Sequence, residues 1–215
     1  MLADRNIALL LAAVAGFVDA VGYLTLHHLF TAHMTGNASK LGVALAHGRL
    51  GDALPLVLAP VFFVCGIAGG TLLVDRRARR RLFAVQAALI AAYMAYGSTV
   101  VHGETGPGHA RVGFYVLAAL ATVALGLQTA ALTEIGGTTV RTTYVSGTLT
   151  NLTMTAVRRL SGRDTKPHRL RLLFGVWLAY VVFATAGAFT LRELSVWCLA
   201  FPTAALLALA LASKA

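Results

Sequence analysis

Apolar residues in this chain arrive in six blocks, at 7–26, 55–74, 82–101, 112–132, 172–191 and 196–212. About 20 apolar residues in helical form cross the hydrocarbon of a bilayer. The blocks therefore predict a polytopic, all-α membrane bundle, because a backbone in lipid must satisfy its own polar groups. Charged residues make up only 12% of the chain and mean hydropathy is +0.75, whereas soluble domains carry roughly twice that charge share. The first block is too long for a signal-peptide core, contains Asp19 and is not followed by a small-residue cleavage site, so it reads as a span.

Two moderately apolar stretches, 30–50 and 138–160, are rich in Thr, Ser, Asn and Gly, and charge decides how to count them. With six spans and both termini inside, the cytoplasmic segments hold Arg5, Arg76, Arg77, Arg79, Arg80, Arg81, Arg141, Arg158, Arg159, Arg163, Lys166, Arg169, Arg171 and Lys214. Only Lys40, Arg49, Arg111 and Arg192 fall outside. That asymmetry follows the positive-inside bias. Counting both stretches as full spans would put the two large Arg clusters on opposite faces. They are therefore expected to be re-entrant or interfacial. The net charge of +10 is explained by topology rather than by nucleic acid, which is not an expected partner.

The two halves echo each other. Gly16-Phe-Val-Asp-Ala20 and Gly126-Leu-Gln-Thr-Ala130 stand 110 residues apart. Thr31-Ala-His-Met-Thr-Gly-Asn37 and Thr142-Thr-Tyr-Val-Ser-Gly-Thr148 stand 111 apart. Each half has three spans, an odd number, so tandem copies must lie in opposite orientations. The chain reads as one membrane domain, 1–215, of two inverted three-helix repeats near 7–101 and 112–212. Inverted repeats with interrupted helices recur in secondary transporters, with the substrate near the midplane.

Gly16-Phe-Val-Asp-Ala-Val-Gly-Tyr23, Phe30-Thr-Ala-His-Met-Thr-Gly-Asn37, Ala124-Leu-Gly-Leu-Gln128 and Arg141-Thr-Thr-Tyr-Val-Ser-Gly-Thr-Leu149 together resemble the bacterial YoaK-like family of multi-pass membrane proteins. Thr129 stands where that family often has Asn, and Ser146 where it often has Thr. The resemblance implies an inner-membrane protein and, as a domain of unknown function, names no substrate and no catalytic residue.

Thr35-Gly36-Asn37 has the residues of a helix start, and a helix from Asn37 to Gly48 would measure about 18 Å, too short to cross roughly 30 Å of hydrocarbon. As a half-helix it would present free N–H groups and a partial positive charge to the interior. Ser146-Gly147-Thr148, followed by 149–160, repeats the pattern from the cytoplasmic side. The two tips are expected to meet and line a solute path. Asp19, an ionisable residue inside a span, is a candidate for ion or proton coupling, or a hydrogen-bonded structural acid. His33 precedes the first tip and could titrate near neutrality, although a lone His is more often a polar packing residue. Its repeat counterpart is Tyr144. Arg141 would reach the cavity, pair with Asp19 or merely set topology. Gln128 and Thr129 occupy the repeat positions of Val18 and Asp19. Asn151 and Thr150 extend the polar face of the second half-helix, unless they only back-bond to their own helix.

The run Arg76, Arg77, Arg79, Arg80, Arg81 is expected to contact anionic lipid. Cys65 and Cys198 lie inside apolar blocks and read as packing residues. No hydrolase, metalloprotease, P-loop or dinucleotide signature is present, and neither metal nor cofactor is implied. The leading expectation is a small-solute transporter or channel for a small polar or anionic solute. An intramembrane enzyme or lipid-handling protein, and a non-transporting scaffold or sensor, are the competing readings. The oligomeric state is open, a homo-oligomer included.

Overall fold

The computed structural model describes residues 4–73, 79–102, 107–131, 134–135, 138–139, 142–162 and 167–213. The described residues are almost entirely helical: α1 Asp4–Thr25, α2 Met34–Ala46, α3 Leu50–Leu73, α4 Arg79–His102, α5 Pro107–Ala131, α6 Val145–Leu160, α7 Pro167–Leu194, a 3-10 turn Ser195–Leu199 and α8 Ala200–Ala212. A two-residue antiparallel ladder, Glu134–Ile135 with Thr138–Thr139, precedes α6.

Five helical segments are long and apolar enough to cross a membrane: α1, α3, α4, α5, and the continuous run His168–Ala212. The block at 196–212 is not one straight span. Ser195 has φ +51°, the chain tightens into the 3-10 turn, and α8 keeps 13 residues, about 20 Å at 1.5 Å per residue. The short helices α2 and α6 also begin earlier than the sequence pattern suggests. Thr35, Gly36 and Asn37 lie in the first turn of α2 rather than capping it, and Ser146, Gly147 and Thr148 lie in the first turn of α6. At 13 and 16 residues, α2 and α6 measure about 20 and 24 Å, both short of the hydrocarbon thickness.

α1 is the most enclosed long helix, with 72% of its apolar window buried against 22% for α3. Outward-facing Leu54, Val57, Val61 and Val64 on α3, and Val181, Val182, Phe183 and Phe189 on α7, give the bundle an apolar exterior, the surface a lipid-facing protein requires.

Contacts fix the helix directions. Arg79 at the start of α4 bonds Asp4 at the start of α1 (3.2 Å), and Thr25 at the end of α1 meets Tyr93 of α4 (2.5 Å). The two therefore run the same way. Gln128 late in α5 donates to the Leu11 carbonyl of α1, and His27 just beyond α1 stacks on Phe114 early in α5. α1 and α5 therefore run in opposite directions.

The closest helix approaches come in matched pairs. α1 lies along α7, and α3 along α5. A Cβ on Gly16 would collide with the Tyr180 carbonyl oxygen, and one on Gly126 with that of Phe63. A Cβ on Gly187 would lie 2.8 Å from the Phe17 carbonyl oxygen, and one on Gly70 at the same 2.8 Å from that of Leu127. Gly16 and Phe17 stand 110 residues before Gly126 and Leu127, and Phe63 and Gly70 stand 117 before Tyr180 and Gly187. Small residues let backbones touch in this way.

Gly16→Ala and Gly126→Ala should each lower the melting temperature of the detergent-purified protein, by about 1–3 kcal/mol of overpacking. Gly69→Ala should be neutral, since nothing lies within 4 Å of its Cβ position. Equal tolerance at Gly16 and Gly69 would contradict the packing described.

Candidate functional site

Between α1 and α2 the chain folds back from the end of α1 to the level of Asp19 without regular structure. Leu26, His28 and Leu29 N–H bond backbone carbonyls at the end of α1 and in the turn, but the N–H groups from Phe30 to Ala32 are left to side chains. Asp19 does most of this. Its Oδ1 accepts from Thr31 N, Thr31 Oγ1 and Ala32 N, each at 2.8 Å. Its Oδ2 accepts from the Tyr180 hydroxyl at 2.6 Å and faces His33 Nδ1 at 3.4 Å. The carboxylate and Thr31 are both buried. Two successive N–H groups and a hydroxyl make a small anion-holding concavity of the kind peptide nests provide. Asn37 completes the fold-back. Its Nδ2 donates to Phe30 O at 2.8 Å and its Oδ1 accepts from Phe30 N at 3.1 Å.

The second half is built alike with neutral groups. Gln128 Nε2 donates to Thr142 Oγ1 at 3.0 Å and to Leu11 O at 2.8 Å. Thr129 and Thr143 share a hydrogen bond of 2.7 Å. Gln86 of α4 donates from Nε2 to Gln128 Oε1 at 2.6 Å and so turns the Gln128 amide toward its acceptors. Thr148 bonds the Tyr144 carbonyl, and Gly147 lies flat beneath the Tyr144 ring with no room for a side chain. Neither α2 nor α6 has a side-chain cap at its N-terminus, so apart from Met34 N, which bonds the Ala32 carbonyl, the first-turn N–H groups of both are left for other partners.

Both N-termini line one cavity of about 180 Å³, bounded by Ala32, His33, Met34 and Thr35 from the first tip, Thr143, Tyr144, Val145 and Ser146 from the second, and Phe63, Ile67 and Thr129. A second cavity, of about 320 Å³, lies against α1 and α7, where Asp19, His33, Tyr180 and Ala184 line it. At offsets of 110, 111, 117 and 117 residues those four correspond to Thr129, Tyr144, Phe63 and Ile67 of the first cavity. His33 lines both. Its hydrogen bond to Asp19 raises the imidazole above its ordinary value, burial opposes the rise, and the carboxylate charge adds to it.

An aromatic series leads outward from His33. The rings of His33 and Phe30, Phe30 and Tyr23, and Tyr23 and His28 lie 5.5, 4.7 and 4.9 Å apart. Lys40 stands over the Phe30 and Tyr23 rings at 4.7 and 5.1 Å and donates to the His28 carbonyl. Beyond them a larger cavity of about 510 Å³ opens among His27, His28, Lys40, Asp52 and Tyr115.

Of the residues singled out in sequence, His33, Thr35, Thr129, Tyr144 and Ser146 share the inter-tip cavity. Asp19 lies on the adjoining one. Asn37, Gln128 and Thr148 are buried and engaged in holding the tips, with Gly36 packed under the Phe30 ring and Gly147 under Tyr144. Asn151 and Thr150 are exposed on α6, Thr150 back-bonding to Ser146 O. Arg141, Arg76 and Arg77 lie outside the described residues, whereas Arg79, which bonds Asp4, Arg80 and Arg81 lie at the start of α4. Thr31, Tyr180, Thr143 and Gln86 were not singled out. Gln86 left a signal, an amide in an otherwise apolar block. Tyr180 left none that sets it apart from a packing aromatic.

The family described as protein of unknown function (DUF1275) matches residues 7–212. The chain is 34% identical over 173 residues to the UPF0700 transmembrane protein YoaK of Bacillus subtilis (strain 168), covering 79% of this chain and 75% of that protein. No solved structure matches.

Asn37→Ala should strand the part-buried Phe30 N–H and carbonyl and cost about 2 kcal/mol, the low end of 1–3 per group. The measurement is the thermal midpoint in detergent. An unchanged midpoint would mean that Asn37 does not hold the fold-back.

Proposed function

The chain belongs to the DUF1275 family of proteins of unknown function, and we propose that this multi-pass membrane protein is a small-solute transporter or channel of the bacterial inner membrane. In this reading α7 is one span, and the 3-10 turn Ser195–Leu199 together with α8, about 10 and 20 Å at 2.0 and 1.5 Å per residue, is another, giving six, and α2 and α6 are re-entrant half-helices entering from opposite faces. The halves 7–101 and 112–212 are inverted repeats. The opposed directions of α1 and α5 and the matched glycine contacts support the inversion.

One observation carries the functional reading: a single cavity is lined by the N-terminal residues of both short helices. At about 180 Å³ it has room for a solute the size of a few waters, each of which occupies about 30 Å³. Its polar lining is His33, Thr35, Thr129, Thr143, Tyr144 and Ser146, with no carboxylate among the described residues. Two uncapped helix starts add positive potential. Such a lining suits small anions and neutral hydrogen-bonding solutes better than cations. Tyr23, Phe30 and Lys40 close the route from the larger outer cavity, so access from that side requires them to part. The basic run at 76–81 then lies on the cytoplasmic face, where it meets anionic lipid headgroups.

Thr35→Cys and Ser146→Cys, made singly in a background lacking Cys65 and Cys198, should both react with a small water-soluble thiol reagent in membranes. A screen of small anions and neutral polar solutes should find a compound that raises the melting temperature of the wild type and loses most of that effect in Ser146→Val. Two inert cysteines would remove the conduit. Separately, a reporter fused at residue 105 should read as external, and a cytoplasmic reading would reverse the orientation.

A further inference from the structure

The two tips are anchored differently, and the difference is one of chemistry rather than shape. At the second tip every anchoring group among the described residues is neutral: Gln128, Thr129, Thr142, Thr143 and, behind them, Gln86. At the first, the repeat position of Thr129 is the carboxylate of Asp19, and its neighbour is an imidazole. We infer that His33 is a proton-binding residue of the site, with Asp19 as its fixed counter-charge, so that the first tip changes with protonation and the second does not. The inference deepens the conduit reading and rests on it for its consequence, that solute passage is coupled to a proton.

The geometry specifies which atom takes the proton. A carboxylate only accepts hydrogen bonds, so the hydrogen facing Asp19 sits on His33 Nδ1. No described residue bonds Nε2. A proton arriving from water or from a protonated solute adds to the Nε2 lone pair and gives an imidazolium, and it leaves from the same atom. Of the five groups on Asp19, His33 is the most distant, at 3.4 Å against 2.6–2.8 Å for the others. The other four are hydroxyls and backbone N–H groups, which keep their hydrogens across ordinary pH. His33 is thus the one contact that protonation strengthens, and it sits at the N-cap of α2.

The surroundings leave that role to His33. From α1 the titratable neighbours are Asp19 and, through the Phe30 ring, Tyr23. From α7 it is Tyr180, and from the start of α6 it is Tyr144. Lys40 of α2 lies beyond Phe30 and bonds the His28 carbonyl. α3 and α5 contribute Phe63, Ile67 and Thr129 to the same cavity, none of which carries charge. His33 lines both cavities and is half-buried, whereas Asp19 lines only the second and is buried, so water reaches the imidazole more readily than the carboxylate.

The test is a pH titration of the full-length protein, labelled with ¹⁵N-histidine and held in lipid nanodiscs with no solute added. Of seven imidazoles, the one missing in His33→Gln should titrate above the ordinary value. It should move further up in Tyr180→Phe, which takes the strongest competing donor off Oδ2 and leaves the carboxylate freer to hold the imidazolium. It should fall back in Asp19→Asn. The melting temperature supplies a second readout. A raised folded value means that the pair stabilises the fold fully below the ordinary imidazole value of 6.5 and that this contribution is lost as pH rises through the folded value. The wild type should therefore lose stability over that window and His33→Gln should not. A His33 signal titrating at or below the ordinary value, or unmoved by Tyr180→Phe, overturns the proposal. So does an unchanged melting profile in His33→Gln. Because no solute is present, this failure leaves the thiol and stabilisation tests of the conduit standing, and their failure would leave the titration result intact.

Discussion

Five hydrogen-bond donors converge on one carboxylate, and the arrangement of the first half follows from that. A chain that leaves α1 and turns back among helices has backbone N–H groups with no helix to bond them. In an apolar bundle each such group is costly if unpaired. Asp19 takes Thr31 N and Ala32 N directly, and Asn37 takes Phe30 at both of its backbone groups. With the fold-back fixed at its start and at its turn, α2 can begin at Met34 with its N-terminus in the interior. A burial that would be prohibitive for a bare carboxylate is tolerated because charge-assisted bonds to N–H and O–H groups are the strong ones.

The second half solves the same problem without charge. Gln128 and Thr129 serve Thr142 and Thr143, and Gln86 fixes the amide that does so. Gln128 also reaches the Leu11 carbonyl of α1, so the second tip is tied to the central helix of the first half. The two solutions lie at corresponding positions, and the helices around them meet through corresponding glycines. The two tips can therefore face one cavity instead of packing independently on the bundle surface.

How much of this was legible in the sequence depended on whether the signal was local. Apolar block length marked the helices because crossing hydrocarbon is a property of one segment at a time. The echo between the halves was legible because Gly16, Gly36, Gly126 and Gly147 stand where close backbone or ring contacts leave no room for a side chain. The starts of α2 and α6 were misplaced by a few residues because Thr35, Asn37, Ser146 and Thr148 have the composition of caps. Their side chains turn out to bond elsewhere: Asn37 to Phe30, Thr148 to Tyr144, while Ser146 faces the cavity. The break at Ser195 was hidden because the residues around it are as apolar as a span. Tyr180 could not have been found, since only the pairing of α1 with α7 brings it to Asp19 across 161 residues.

The contrast between the anchors bears on how the site could work. A tip held by hydroxyls and amides has the same bonds whatever the pH, and its position is set by packing. A tip held by a carboxylate facing an imidazole has two bonding states that differ by one proton, and both leave the other four bonds of Asp19 intact. The first tip can therefore respond without unfolding, because Thr31, Ala32 and Tyr180 keep it in register whichever state the His33–Oδ2 contact is in. Were Asp19 the group that titrated, protonating it would weaken all five bonds together, and the fold-back itself would be at risk. Placing the titrating group one step away from the structural acid separates holding the tip from moving it.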